Sequence, residues 1–137
     1  MSEFELDSRL ATDSVLVAEG PLSQVRLMND ERFPWLVLVP RLAGVTEWIE
    51  LDGEQQDKLR TELNRACKAL KGADGVEKIN IGALGNIVRQ LHFHATAVLR
   101  GAVQRHRALD RRRRARTVRA QQRNKCGLGP GRPGKHV

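Results

Sequence analysis

The 137 residues carry 24 Lys and Arg against 16 Asp and Glu, a formal net charge of +8, and 40% of them are hydrophobic. That apolar share builds the core of one ordinary domain without metals or disulfides, and Cys67 and Cys126 lack the close spacing of a zinc site or a redox pair. No apolar run approaches the roughly 20 residues that span a bilayer. The opening Met1-Ser2-Glu3-Phe4-Glu5 is acidic where a secretory signal is basic and then apolar, so a cytoplasmic protein with no membrane partner is expected.

The positive charge is not spread evenly. Residues 1–99 hold 11 Lys and Arg against 15 Asp and Glu, a balance of −4, while residues 100–137 hold 13 against 1, a balance of +12. This splits the chain into a domain over 1–101 and an Arg-rich tail over 102–137.

Phe4 to Gly20 has scattered apolar residues and weak periodicity, and reads as an arm packed on the domain. Leu22 to Met28 alternates, with Val25 and Leu27 opposite Gln24 and Arg26, which predicts a half-buried strand before the turn residues Asn29 to Arg32. Trp35 to Val39 is a continuous apolar run between Pro34 and Pro40, the pattern of a central strand buried on both faces. Asp52 and Gln55 form a capping box ahead of a helix with Leu59, Leu63, Ala66, Cys67 and Leu70 on its apolar stripe. Its polar face carries Lys58, Arg60, Glu62, Arg65 and Lys68, and Gly72 and Gly75 are expected to stop it in left-handed conformations. Val76 to Ile81 predicts another strand, Ala83 to Asn86 a loop, and Ile87 to Leu99 a final strand. The expected fold class is α+β, an antiparallel sheet of about five strands with one long helix. Beyond Gly101 the pattern fails. Arg111 to Arg114 are consecutive arginines, so 105–119 is expected to be at best a transient helix and the remainder disordered.

In the last strand, Gln90, His92 and His94 occupy alternate positions and are expected on one face, with Leu91, Phe93 and Ala95 anchoring the other. Upstream, Gly82 to Asn86 is a loop whose glycines allow backbone amides to approach a phosphate. A neutral imidazole attacks phosphorus without a separate base, and a second imidazole manages a proton. His92, central in the row, is therefore the candidate nucleophile. His94 places a proton on the leaving group or orients the phosphate, and Gln90 donates a neutral hydrogen bond. A lone His-x-His also fits two merely structural histidines. It suits zinc as well, but a zinc site usually needs a third protein ligand and Gln90 is a poor one, so neither metal nor cofactor is expected.

Gln90-Leu91-His92-Phe93-His94-Ala95-Thr96, preceded by Leu84-Gly85-Asn86, resembles the signature of the histidine triad proteins. The Gln-x-His-x-His form is similar to a bacterial branch, whose early Asn-Asp-x-Arg-Phe-Pro-Trp segment is matched by Asn29 to Trp35. The resemblance covers about residues 4–101. It implies a homodimer of α+β domains that takes a nucleotide substrate through a covalent nucleotidyl-histidine, with His92 as nucleophile, His94 as the last histidine of the motif and Gln90 at the first position. It also implies that Asn86 lies near the phosphate, that Asn80 supports the site, and that Asn29 and Phe33 line the nucleoside pocket.

The chain departs from that branch at Arg89, where Pro is common, and at Val98, where Arg is frequent. The Arg-rich tail also replaces a Trp- and Pro-rich segment, which implies a pocket partly lost and weakened activity. A shifted reading frame near residue 101 would produce such a change, and resequencing the source gene tests that. The rival function is a nucleic-acid-binding module in which the tail neutralises phosphates. Against it, the tail has no interleaved aromatic residues to stack bases, and the rest of the chain is acidic.

Overall fold

A computed structural model of the protein describes residues 3–101. The tail, with the expectations placed on 102–137, lies outside the described residues. The elements are helix α1 (Ser8–Asp13), strands β1 (Ser14–Glu19), β2 (Ser23–Met28) and β3 (Trp35–Pro40), a 3-10 turn at Trp48–Glu50, helix α2 (Gly53–Lys71), and strands β4 (Val76–Gly82) and β5 (Phe93–Leu99). The five strands form one sheet in the order β1-β2-β3-β5-β4, with every neighbouring pair antiparallel. This is the α+β architecture expected from the sequence.

Helix α2 begins where its capping box places it. The Asp52 carboxylate accepts from Gln55 N at 2.8 Å, and Gln55 Oε1 accepts from Asp52 N at 2.9 Å. Its apolar stripe covers one face of the sheet, where Leu59 and Ala66 meet Leu38, Leu22, Leu51 and Leu91. Leu38 and Leu59 are fully buried; each is worth roughly 1.5–3 kcal/mol relative to exposure, which holds helix and sheet together. The opposite face of the sheet has its own apolar cluster, in which Phe4, Leu6 and Leu10 from the amino terminus pack with Val37, Val39, Trp35 and Val88. The central strand β3 thus faces apolar side chains on both sides, as its sequence predicts.

Several expectations change. The amino-terminal arm contains α1 and the edge strand β1, which the sequence hid because β1 buries only Ser14 and leaves Val15, Leu16 and Val17 about half exposed. In β2 Val25 packs on the core as expected, but the next two positions exchange roles. Arg26 is buried while Leu27 is exposed. The Arg26 guanidinium is satisfied by Ser14 Oγ at 2.8 Å, Ser14 O at 3.2 Å and Gln24 Oε1 at 3.1 Å.

Glu62 also leaves the polar face assigned to it. It is 4% exposed, and its Oε1 accepts from the backbone N–H of Leu22 at 2.7 Å and of Ser23 at 3.1 Å, tying the helix to the start of β2. Gly75 takes the left-handed conformation at φ 76°, but Gly72 stays right-handed at φ −74°, where its N–H bonds back to the Lys68 carbonyl as one more helical turn.

Candidate active site

Strand β5 begins at Phe93, so the expected strand from Ile87 is too long by half. The ladder ends at Leu38 with Phe93 on one side and at Gly82 with His94 on the other. Upstream of it the backbone finds other partners: Leu91 N–H donates to Val45 O at 3.0 Å, and Arg9 Nη1 donates to Ile87 O at 3.3 Å. Gln90 and His92 thus sit in an irregular segment, and the argument from strand alternation does not reach them.

The two imidazoles nevertheless converge. His92 and His94 have ring centroids 4.8 Å apart and stand nearly perpendicular, at 85°. Gln90 turns elsewhere. Its Oε1 accepts from Asp7 N at 2.9 Å and its Nε2 donates to Glu5 O at 2.8 Å, so the carboxamide pins the amino-terminal segment that covers this face of the sheet.

The partners of each ring fix its tautomer. His92 Nδ1 lies 2.7 Å from the Gln90 carbonyl oxygen. A carbonyl only accepts, so Nδ1 carries the proton and Nε2 keeps its lone pair. For His94 the situation is opposite: Trp35 Nε1 donates to His94 Nδ1 at 2.9 Å. An indole N–H only donates, so Nδ1 is bare and the proton resides on Nε2. Burial, and then the nearby His92, push the His94 pKa down to about 4. The pair therefore consists of one imidazole with a free Nε2 lone pair and one neutral imidazole with an Nε2–H.

His92 is shared by two clefts. One, of about 560 Å³, lies on the face covered by the amino terminus and is mostly apolar, with Leu10, Met28, Trp35, Ile81, Asn80 and His94 in its walls. The other, of about 440 Å³, is more polar and is lined by Thr46, Glu47, Trp48, Arg89 and Gln90. Asn86 and Leu84 join His92 in both walls. Asn80 pairs with Thr96 in the β4–β5 ladder, and Thr96 with Trp35 in the next, which sets these three residues on the face that carries His94.

Gly82 and Gly85 have no positive φ, so the loop is not a left-handed amide nest, and its glycines contribute open space at the cleft edge. Asn29 and Phe33 do not line either cleft. Asn29 bonds to the end of α1 through its N–H and the Asp13 carbonyl at 2.9 Å, and Phe33 packs 6.1 Å from the Trp35 ring. Trp35, read from the sequence as part of the buried central strand, is the hydrogen-bond partner of His94. Its contact with His94 spans 59 residues and depends on strand register.

The family model of the HIT domain matches residues 9–98. The chain belongs to the histidine triad family. Solved structures of histidine triad proteins agree. That of Sinorhizobium meliloti 1021 is 52% identical with a TM-score of 0.69, covering 72% of this chain and 73% of its own. A histidine triad protein of Bradyrhizobium japonicum is 44% identical with a TM-score of 0.70, covering 73% of this chain and 75% of its own. One from Marinobacter aquaeolei VT8 is 40% identical with a TM-score of 0.71, covering 74% of each chain. No curated protein matches the chain. Membership in the histidine triad family supports a nucleotide-binding hydrolase or transferase as the class of function.

Proposed function

We propose that this histidine triad protein moves a nucleotidyl group from a nucleoside phosphoramidate, a dinucleoside polyphosphate or a related nucleotidyl compound, through a covalent nucleotidyl-histidine at His92. The observation that carries this reading is the Gln90 carbonyl on His92 Nδ1, which leaves Nε2 free without a base to deprotonate it. The Nε2–phosphorus bond forms as the bond from phosphorus to the leaving group breaks, and the departing atom keeps the electron pair. The imidazolium so created holds its Nδ1 proton against the Gln90 carbonyl, which stabilises the positive charge. Water or another acceptor then bonds to phosphorus as the Nε2–phosphorus bond breaks and its electron pair returns to Nε2, and the acceptor's proton passes to solvent, which restores the imidazole.

The nucleoside occupies the apolar cleft, with Asn80 and Asn86 near the phosphate, and the leaving group points into the polar cleft. Asn29 and Phe33 stand outside both clefts and act at the nucleoside end through the turn that carries them. The homodimer, the cytoplasmic location and the independence of the domain from its tail belong to the same proposal. Incubation with an α-labelled adenosine nucleotide substrate is expected to trap label on the wild type and none on His92→Ala, and equal labelling of both refutes the assigned nucleophile. With residues 102–137 removed, labelling is expected to persist. Loss of nucleic-acid affinity alone would favour the tail as a separate binding module.

A further inference from the structure

Of the segment Asn29 to Trp35, only Trp35 enters the wall of either cleft. The residues just before it are stacked behind it. Arg32 Nε and Nη2 clasp the Asp30 carboxylate at 3.0 and 2.6 Å, and the guanidinium lies over the Phe33 ring, 5.2 Å from its centroid. The Phe33 ring in turn stands 6.1 Å from that of Trp35. The Pro34 carbonyl accepts from Ala97 N at 2.9 Å, which fastens the segment to β5 just past His94.

At the end of this row Trp35 Nε1 donates to His94 Nδ1 at 2.9 Å. An indole N–H never accepts, so the bond admits only the forms of His94 with a bare Nδ1, and a neutral ring then carries its proton on Nε2. Because the indole is packed against the cluster of Leu10, Val37 and Val39, the bond also fixes the direction of the imidazole. His94 and His92 share the apolar cleft. The one ring N–H that His94 has left is thus available to an oxygen of a phosphate held at His92. Burial and the neighbouring His92 keep the His94 ring neutral, so this donor is the same at pH 7 and at pH 6.

Building on the nucleotidyl-transfer reading, we infer that Trp35 is a positioning residue: it holds His94 in one tautomer and one orientation, with Nε2–H donating to a phosphate oxygen while His92 Nε2 bonds to phosphorus. No proton moves in this step, because a neutral imidazole that gave up its Nε2 proton would become an imidazolate. The stack of Arg32 on Phe33 acts one contact further out, by keeping the indole from tilting away. The Asn29 to Trp35 segment therefore works on the reacting phosphate through His94, without touching substrate before its last residue.

The experiment uses the full chain and measures the rate of label transfer in Trp35→Phe and Phe33→Leu, each alone and combined with His94→Ala, with longer incubation for the slow combinations. Outer hydrogen-bond partners of metal-ligating histidines are worth roughly 10- to 100-fold, and Trp35→Phe is expected to slow transfer by about ten-fold or more. Phe33→Leu keeps the indole N–H and is expected to slow it less. In the His94→Ala background each change is expected to cost less than about two-fold, since the residue through which both act is gone. Equal costs in the two backgrounds would make Trp35 a packing residue only and overturn the proposal. Nitrogen-15 NMR of the wild type depends on no variant. It is expected to show coupling between Trp35 Nε1 and His94 Nδ1 across their hydrogen bond, with Nδ1 unprotonated from pH 7 down to pH 6. A protonated Nδ1 in that range overturns the proposal while leaving nucleotidyl transfer in place. No label on the wild type removes the underlying reading, and the proposal with it.

Discussion

Gln90 Oε1 and the backbone N–H of Asp7 meet at 2.9 Å across 83 residues of sequence. The same residue presents its carbonyl to His92 Nδ1, so one side chain joins the amino-terminal segment to the backbone position that sets the tautomer of the nucleophile. Gln90→Met, which keeps the length and loses both amide bonds, is expected to slow label transfer. Asp7→Pro removes the N–H partner from the other end; the Asp7 φ of −53° suits a proline. Because Asp7 also caps α1 through Arg9 N, Asp7→Ala is the control for the lost cap. If Gln90 works through this linkage, Asp7→Pro slows transfer more than Asp7→Ala, and the Gln90→Met and Asp7→Pro double variant is no slower than the worse single one. Additive effects would return Gln90 to direct contact with phosphate.

Protonation of His94 sets a pH dependence of stability. Its folded pKa is depressed to about 4 from 6.5, first by burial and then by His92. Below pH 6.5 the unfolded chain takes up a proton that the native state refuses. The stability present above that pH is therefore lost as pH falls through the window toward 4. Urea midpoints are expected to drop between pH 7 and pH 5, before most carboxylates titrate, and His94→Asn is expected to flatten that slope. An unchanged slope in the variant would place the proton uptake elsewhere.

Glu62 and Gly20 form a tightly fitted pair. A Cβ built on Gly20 would stand 2.3 Å from Glu62 Oε1, the atom that accepts from Leu22 N and Ser23 N. Gly20→Ala is expected to cost about 1–3 kcal/mol by displacing that carboxylate. Glu62→Ala is expected to cost about as much by leaving buried N–H groups unpaired. The two losses overlap, since both break the same pair of hydrogen bonds, and chemical denaturation of the single and double variants is expected to give less than the sum. Full additivity would contradict the shared cause.

Metal chelators test the remaining chemistry of the two histidines. Both Nδ1 atoms already have protein partners, the Gln90 carbonyl and the Trp35 indole. Among the described residues no group of three His, Cys, Asp or Glu is placed to hold a metal ion. Label transfer is expected to be unchanged by EDTA, and a loss restored by added zinc would assign the imidazoles to metal binding.

Patterns local in sequence were legible without coordinates. The capping box of Asp52 and Gln55, the stripe through Leu59, Ala66 and Leu70, and the apolar run of β3 depend on residues a few positions apart, and they fixed the helix, the central strand and the α+β class. The pairing of His92 with His94 was expected from strand alternation; the rings do meet, but His92 lies ahead of the strand, so its placement comes from the irregular segment and not from the alternation.

What distance along the chain conceals was decided only by the fold. Burial of Arg26 and Glu62 requires partners from other elements, Ser14 in one case and the start of β2 in the other. No periodicity reveals a charged residue whose hydrogen bonds come from 12 or 40 positions away. The same holds for the protons of the site. The sequence supplied two imidazoles, but their tautomers depend on Trp35 and the Gln90 carbonyl, and the turning of the Gln90 side chain depends on the amino-terminal segment. Residue identity sets which chemistry is available, while packing sets which nitrogen carries the proton, because a hydrogen bond acts only at contact.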